Sequence, residues 1–290
     1  MKYLTITDVR ICPGDSGFLI DDGNTAILYD TGFGFTASQM AKRIRQILGD
    51  RPLNYIFLTH SHYDHALGSA GIGKYFPDVK IVASEYTKTV FQKDSARAIM
   101  GQMDRKAAAR YGYAEAEDLS DALRVDITVA DEEKIKCGDL EFIAVALPGH
   151  TKCSIGFYLA ENKLLLAAET LGVYVGKEPY LSSYLLGYGL TMASFQRVKA
   201  LDVDAILIPH YGIDTGQEAR RYLEESERSA VQTSELIKAA LEAGQSHEQI
   251  LNELTAQLYQ EHVVPVYPLD AFELNTSIMI RLIEAELLNN

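Results

Sequence analysis

The stretch Thr59–Gly68 places three histidines and one aspartate within six positions, directly after the apolar run Tyr55–Leu58. The apolar run predicts a buried strand, so the polar cluster is expected in the loop where that strand ends. The chain has only 7 histidines, and three of them lie here. Imidazole nitrogen and carboxylate oxygen are common ligands of borderline divalent cations, so the cluster predicts a metal site rather than an ordinary polar loop. Its candidate ligands are His60, His62, Asp64 and His65.

Three further apolar strands are predicted to end in residues that can bind a metal. His150 follows the strand Leu140–Leu147, and His210 follows the strand Ala205–Ile208. Glu169 follows a strand predicted over Lys163–Ala168. Loops at the ends of strands are where a rigid sheet can hold ligands in place for chemistry. The repetition therefore favours one site assembled from several strand ends.

The first two thirds of the chain alternate strands with helices. Strands are predicted over Thr5–Ile11, Phe18–Ile20 and Ala26–Tyr29 with turn residues between them, which is typical of a β-meander. A helix is predicted over Thr36–Leu48, where Gly49 ends it. Strands that alternate with helices imply sheets with helices packed outside them. A helical insertion over 85–110 either covers the strand ends and shapes a pocket or simply packs.

From Gln217 onwards the pattern changes to long amphipathic helices. Ser246 and Gln249 form a capping-box signature at the start of one of them. Their apolar stripes predict core contacts, either with the main domain or with a partner subunit. We therefore expect a domain over residues 1–215 and a C-terminal helical extension over residues 216–290, with a homodimer through these helices as a further expectation.

Composition limits the classes of partner. The 290 residues carry a formal net charge of −13, which disfavours contact with nucleic-acid phosphates and anionic membranes. The sequence has no run of 18 apolar residues and no apolar segment of signal-peptide length at its N-terminus. Cys12, Cys137 and Cys153 are far apart and odd in number, which is typical of thiols in a reducing compartment. We expect a soluble, cytoplasmic protein without a nucleic-acid or membrane partner.

The order of these motifs resembles the metallo-β-lactamase-fold hydrolase superfamily over about residues 1–215. The resemblance is carried by His60-x-His62-x-Asp64-His65, then His150, an acidic residue and His210. The segments Tyr29-Asp30-Thr31-Gly32 and Pro148-Gly149-His150-Thr151 are also similar to segments of that family. The fold class implied is α/β, an αββα sandwich of two mixed sheets with outer helices.

The resemblance also implies a binuclear site. His60, His62 and His150 would hold the first metal, and Asp64, His65 and His210 would hold the second. Glu169 would bridge the two metals, and Asp30 would orient a ligand imidazole. Two Zn²⁺ ions per chain are expected, although histidine and carboxylate ligands also suit iron and manganese.

One position departs from the family pattern. The superfamily usually has aspartate at the bridging position, where this chain has Glu169. Glutamate is one methylene longer, so Glu169 can bridge both metals, bind one metal only, or lie outside the ligand set.

The chemistry that the resemblance implies is hydrolysis of a small-molecule ester, thioester or lactone. Two metals would lower the pKa of a shared water, and the metal-bound hydroxide would attack the carbonyl. Asp64 would orient that hydroxide and act as the catalytic carboxylate. Tyr63 and Tyr211 are candidates for a general acid by proximity, with packing as the alternative. Two other functions stay open: a metal-binding sensor with little turnover, and an iron-dependent redox enzyme.

Overall fold

The computed structural model describes residues 3–113 and 116–288. The strands over these residues are β1 (Thr5–Asp8), β2 (Phe18–Asp21), β3 (Ala26–Tyr29), β4 (Tyr55–Phe57), β5 (Lys80–Ser84), β6 (Ile127–Val129), β7 (Lys134–Cys137), β8 (Leu140–Ala146), β9 (Ile155–Leu159), β10 (Leu164–Leu166), β11 (Ala205–Ile208) and β12 (Gly212–Thr215). The α-helices are α1 (Ala37–Leu48), α2 (Tyr63–Ala66), α3 (Gly68–Tyr75), α4 (Glu85–Phe91), α5 (Asp94–Arg110), α6 (Tyr188–Lys199), α7 (Gln217–Glu242), α8 (His247–Leu258) and α9 (Leu269–Ile283). Short 3₁₀ turns cover Ser120–Ala122, Ala160–Asn162 and Glu169–Leu171, and a π-helical turn covers Glu284–Leu288.

The strands form two six-stranded mixed sheets, with strand orders β1-β2-β3-β4-β5-β6 and β12-β11-β10-β9-β8-β7. In the first sheet β1, β2 and β3 pair antiparallel, which confirms the predicted meander. β3 to β6 then pair in parallel, with helices in each crossover. The two mixed sheets, the outer helices and the C-terminal helices confirm the predicted fold class.

The described residues divide into two compact units. The first contains the described residues within 1–146 and 155–162, and the second those within 147–154 and 163–290. The predicted domain boundary after residue 215 stays a prediction; α7 begins at Gln217.

The core of the first unit includes side chains of β4, β8 and β9 and the buried face of α1. Phe57 of β4 packs against Phe157 of β9 and Phe142 of β8, with ring centroids 4.3 Å and 5.2 Å apart. Met40 and Ile44 of α1 are fully buried in the same unit. The amphipathic pattern of this helix was thus interpreted correctly, and Gly49 ends it with a positive φ of 62°.

The core of the second unit includes the stripes of the C-terminal helices. Ile237 of α7, Ile250 and Leu254 of α8 and Ile280 of α9 form one buried cluster. The predicted capping box is present, since the Ser246 side chain accepts from the Gln249 backbone and the Gln249 side chain accepts from the Ser246 backbone. None of the described helices combines the length and apolarity that a membrane span requires.

Several predicted elements differ in extent. The helix predicted over 85–110 is two helices, because Lys93 is extended and Arg97 donates to the carbonyl of Phe91 at the end of α4 (2.8 Å). Of the four ligand candidates predicted for the loop after β4, only His60 and His62 lie in that loop. The chain turns into α2 directly afterwards, since the backbone N–H of Ala66 donates to the His62 carbonyl (3.0 Å).

Candidate metal centre

The first unit gathers four of the predicted ligands after β4. The ring centroid of His60 lies 4.6 Å from that of His62 and 4.1 Å from that of His65. Asp64 follows on α2, where its Oδ2 lies 3.8 Å from His65 Nε2. His60 and His65 are fully buried, whereas His62 and Asp64 are partly exposed. The structure therefore brings these side chains together as the spacing predicted.

Asp30 organises this group of imidazoles from beneath. Its carboxylate accepts from the Thr59 backbone N–H (2.9 Å) and lies 2.8 Å from His65 Nδ1. A carboxylate only accepts, so His65 carries its proton on Nδ1 and presents the Nε2 lone pair. This is the contact that the predicted orienting role of Asp30 requires, and it is typical of metal-binding histidines.

Thr59 gives the neighbouring His60 the same tautomer. The Thr59 hydroxyl donates its one proton to Asp30 (3.0 Å), so its oxygen accepts from His60 Nδ1 (3.0 Å). The Nε2 atom of His60 is then the nitrogen with a lone pair. Sequence reasoning did not assign this role to Thr59, although the residue directly precedes the cluster.

The backbone around Asp30 is shaped for this contact. Asp30 has a positive φ of 51°, and its N–H donates to the Phe57 carbonyl (2.9 Å). Both the N–H and the hydroxyl of Thr31 donate to the His65 carbonyl, each at 2.8 Å. A Cβ on Gly68 would lie 2.1 Å from the Thr31 carbonyl oxygen, so only glycine permits this close approach.

The second unit gathers the other three predicted ligands around one carboxylate. Glu169 Oε2 lies 2.9 Å from His150 Nε2, and Glu169 Oε1 lies 3.0 Å from His210 Nε2. All three side chains are nearly buried. The two carboxylate oxygens therefore face two different imidazoles.

His150 is held by residues that sequence reasoning missed. Its Nδ1 lies 2.9 Å from the Ser183 carbonyl oxygen and 2.8 Å from the Ser183 hydroxyl. The carbonyl can only accept, so Nδ1 carries the proton and Nε2 has the lone pair. Thr170 accepts from the His150 backbone N–H (3.2 Å). Ser183 is 33 residues from His150 in the chain, and no spacing pattern links the two.

The donor types of these residues suit a borderline divalent metal. The first unit supplies three imidazoles and a carboxylate, and the second supplies two imidazoles and a carboxylate. All seven residues belong to His/Asp/Glu groups that could hold a metal ion. In the second unit, separations near 3 Å between Nε2 and carboxylate oxygen atoms suit ligands that each lie about 2.0–2.2 Å from a shared ion.

The two tyrosines considered as general acids make packing contacts. Tyr63 packs on Phe33, with ring centroids 5.7 Å apart. Tyr211 packs edge-on against Tyr174 (4.7 Å) and donates to Asp214 (3.3 Å). Burial raises the pKa of Tyr211, which makes it a weaker acid. These contacts favour the packing interpretation for both residues.

Comparison with known proteins agrees with this fold. Residues 11–210 match the family model of the metallo-beta-lactamase superfamily, and the chain belongs to that superfamily. It is 28% identical over 155 residues to a hydroxyacylglutathione hydrolase from Bartonella tribocorum, covering 52% of this chain and 49% of that protein. It is 30% identical over 172 residues to a hydroxyacylglutathione hydrolase from Bradyrhizobium, covering 57% of this chain and 52% of that protein.

A solved structure shares the fold over nearly the whole chain. A metallo-beta-lactamase family protein from Thermus thermophilus has a TM-score of 0.64 at 17% identity, covering 98% of this chain and 93% of that one. By sequence, in contrast, the chain spans about half the length of the hydroxyacylglutathione hydrolases that it matches.

Proposed function

We propose that this protein is a metal-dependent hydrolase of small acyl thioesters, with related esters and lactones as further substrates. The observation that carries the proposal is the position of Glu169, whose two carboxylate oxygens lie within 3.0 Å of the Nε2 atoms of His150 and His210. A carboxylate in this position is suited to bridge two metals in spite of its extra methylene. The names of the relatives support a thioester as the first substrate class to test.

The proposed ligand assignment is the one that the family resemblance implies. His60, His62 and His150 hold one metal, Asp64, His65 and His210 hold the other, and Glu169 bridges them. Two Zn²⁺ ions are the proposed cofactors, and elemental analysis distinguishes them from iron or manganese. The hydrogen bonds that Nδ1 of His60, His65 and His150 donates support this assignment, because an imidazole that presents an Nε2 lone pair is the ligand form.

The metals would supply a water of lowered pKa and polarise the substrate carbonyl. In this proposal Asp64 orients the attacking water and accepts a proton from it. Its partial exposure and its position beside His65 Nε2 suit that task. Asp30, fully buried beneath the first ligand group, holds the His65 ring in one orientation through its contact with Nδ1.

Glu169 variants test the bridging role. Freshly purified wild type is expected to contain two metals per chain and to release thiol from a hydroxyacyl thioester of glutathione. Glu169→Gln removes the charge of the bridge, so we expect loss of at least one metal and a fall in kcat of about 100-fold or more. Glu169→Asp keeps the charge with a shorter reach, so its metal content and activity should lie between the two.

Elemental analysis and a thiol-release assay, run on the same samples, check this prediction. The exposed Glu261→Gln serves as a matched control and should keep wild-type values. Two metals and full turnover in Glu169→Gln would exclude Glu169 as a ligand. A wild type that binds two metals but hydrolyses none of a panel of thioesters, esters and lactones would contradict the hydrolase and favour a binding function.

A further inference from the structure

The segment 171–189 of the second unit contacts the His150 loop at two points. Ser183 contacts His150 Nδ1 with both its carbonyl oxygen and its hydroxyl. The backbone N–H of Leu186 donates to the carbonyl of Gly149, the residue before His150 (2.7 Å). The segment therefore restrains both the ring and the backbone of this predicted ligand.

The C-terminal helices in turn hold the segment. The Tyr222 hydroxyl of α7 donates to the carbonyls of Leu171 and Gly172, both at 3.0 Å, and Ser229 of α7 donates to the Tyr180 carbonyl (2.6 Å). Burial raises the pKa of Tyr222, which keeps this hydroxyl protonated as a donor.

The C-terminal end of the segment is also held by hydrogen bonds to the C-terminal helical region. The carboxylate of Glu286, in the π-helical turn after α9, accepts from the backbone N–H groups of Tyr188 (3.1 Å) and Gly189 (3.0 Å) at the start of α6. The N-cap residue of α6 is Gly187, which has no side chain that could cap the helix. Glu286 thus supplies a hydrogen-bond acceptor for the first turn, where helix N–H groups have no partners of their own.

The segment is closed on itself between these supports. Val173 and Leu181 exchange two backbone hydrogen bonds of 2.8 Å and 2.9 Å. Tyr184, directly after Ser183, is fully buried in the apolar cluster of the C-terminal helices with Ile237 and Ile280. One residue of the segment is therefore anchored in the helical core while its neighbour contacts the metal-ligand candidate.

We propose that Ser183 is a positioning residue for His150 and that the C-terminal helices act on the metal site through the segment 171–189. This inference rests on the proposed metal-binding function. Ser183 stabilises the tautomer with Nδ1 protonated, so that His150 presents its Nε2 lone pair to a metal. α7 and Glu286 maintain the backbone position that brings Ser183 within hydrogen-bond distance.

Zinc affinity, measured by competition with a chromogenic chelator, tests this role without relying on turnover. In Ser183→Ala the carbonyl acceptor remains but the hydroxyl is lost, so we expect one zinc ion to bind about tenfold more weakly, the lower end of the effect of such outer contacts. Ser183→Thr restores a hydroxyl and should bring affinity back to within about twofold of wild type. Ser234→Ala is the matched control, because Ser234 is equally buried but donates to Val231 within α7.

A second pair of variants tests the support from α7. Tyr222→Phe removes the hydroxyl that holds Leu171 and Gly172, and it should also weaken zinc binding severalfold. Tyr259→Phe removes a similar bond, from the Tyr259 hydroxyl to the Tyr267 carbonyl (2.8 Å), which lies outside the segment, and it should keep wild-type affinity. Thermal unfolding of the metal-free variants separates a local effect from a general loss of stability.

The outcomes separate this inference from the proposed function. Wild-type zinc affinity in Ser183→Ala, or an equal loss in Ser234→Ala, overturns the positioning role. A wild type that binds no zinc overturns it together with the metal site. Zinc binding that depends on Ser183 in a protein without thioester turnover supports the positioning role and contradicts the hydrolase.

Discussion

At the scale of single residues, three candidate ligands share one feature, a hydrogen bond at Nδ1. The Nδ1 atoms of His60, His65 and His150 lie within 3.0 Å of Thr59, Asp30 and Ser183 respectively. In each contact Nδ1 donates its proton to the partner oxygen, which leaves the lone pair on Nε2. Metal affinity should therefore depend on these partners as well as on the ligands themselves.

Asp30→Asn tests this dependence at the partner that contacts most groups. An amide presents an N–H where His65 or Thr59 also needs an acceptor, so the ligand imidazole would turn or change tautomer. We expect metal affinity to fall by about 10–100-fold, as measured by chelator competition. Asp202→Asn changes an exposed aspartate paired with Lys163 and should keep wild-type affinity. Unchanged affinity in Asp30→Asn would show that His65 needs no such partner.

The ligand candidates could be predicted from the sequence because each directly follows an apolar strand. The role of Asp30 was predicted from the resemblance of its Asp-Thr-Gly segment to the family. Ser183 could not be predicted, since its contact with His150 depends on tertiary folding of the segment 171–189. The seven-residue ligand set as a whole stays a prediction that metal analysis must test.

At the scale of elements, α5 packs against the loop that follows Asp30. Asp104 of α5 accepts from the backbone N–H of Gly34 (2.8 Å), and Ala107 and Ala108 contact Phe33 and Phe35. The sequence left open whether the helical insertion covers the strand ends or only packs. These contacts show that α5 packs within the first unit, and the covering role stays a prediction. Periodicity marks a helix but cannot reveal what its buried face contacts.

Asp104 should make stability depend on pH. Burial raises its pKa to about 7, with the nearby Asp118 and Asp15 adding in the same direction, against an ordinary value of 3.8. Between about pH 4 and pH 7 the folded chain retains a proton that the unfolded chain has lost, so this group's stabilising contribution falls as pH rises through that window. Asp15, whose pKa burial raises to about 6, acts in the same direction.

We therefore expect the free energy of unfolding of Asp104→Asn to fall less than that of wild type as the pH rises from about 5 to about 8. The amide oxygen can still accept from Gly34, and the variant should be more stable than wild type at about pH 8 by on the order of 1–4 kcal/mol. Urea unfolding of the metal-free proteins measures the difference, with the exposed Asp121→Asn as control. Parallel pH profiles for wild type and Asp104→Asn would contradict this account of Asp104.

Helices and strands with strong local signals were predicted, and those without such signals were not. α1 and α8 carry clear apolar faces and terminal signals, and both were found. α6 was missed because Gly187 offers no capping side chain and its first turn is capped by Glu286, which lies 98 residues after Tyr188 in the chain. β12 was missed because the short run Gly212–Thr215 alternates little and is stabilised by pairing with β11.

At the scale of the whole molecule, the apolar stripes of the C-terminal helices have partners within the chain. Tyr184 and the buried faces of α7, α8 and α9 form a single cluster, so core packing explains these stripes. Exposed leucines remain on the outer faces, including Leu236 and Leu274. The homodimer expected from the sequence stays a prediction.

Light scattering coupled to size-exclusion chromatography measures this property directly. The dimer predicts a molar mass twice that of the 32.2 kDa chain, and Leu236→Glu with Leu274→Glu should reduce it to that of one chain. Both positions are exposed, so the substitutions should change stability little. A wild-type mass of one chain across micromolar concentrations would contradict the dimer.

We propose that two metals, held by the histidines and carboxylates described above, are required for thioester hydrolysis. The most direct test is to titrate metal-free protein with Zn²⁺ while thiol release from a hydroxyacyl thioester of glutathione is followed. We expect no turnover without metal and a rise to a plateau at two equivalents per chain. Full turnover by the metal-free protein, or no turnover with two zinc ions bound, would contradict it.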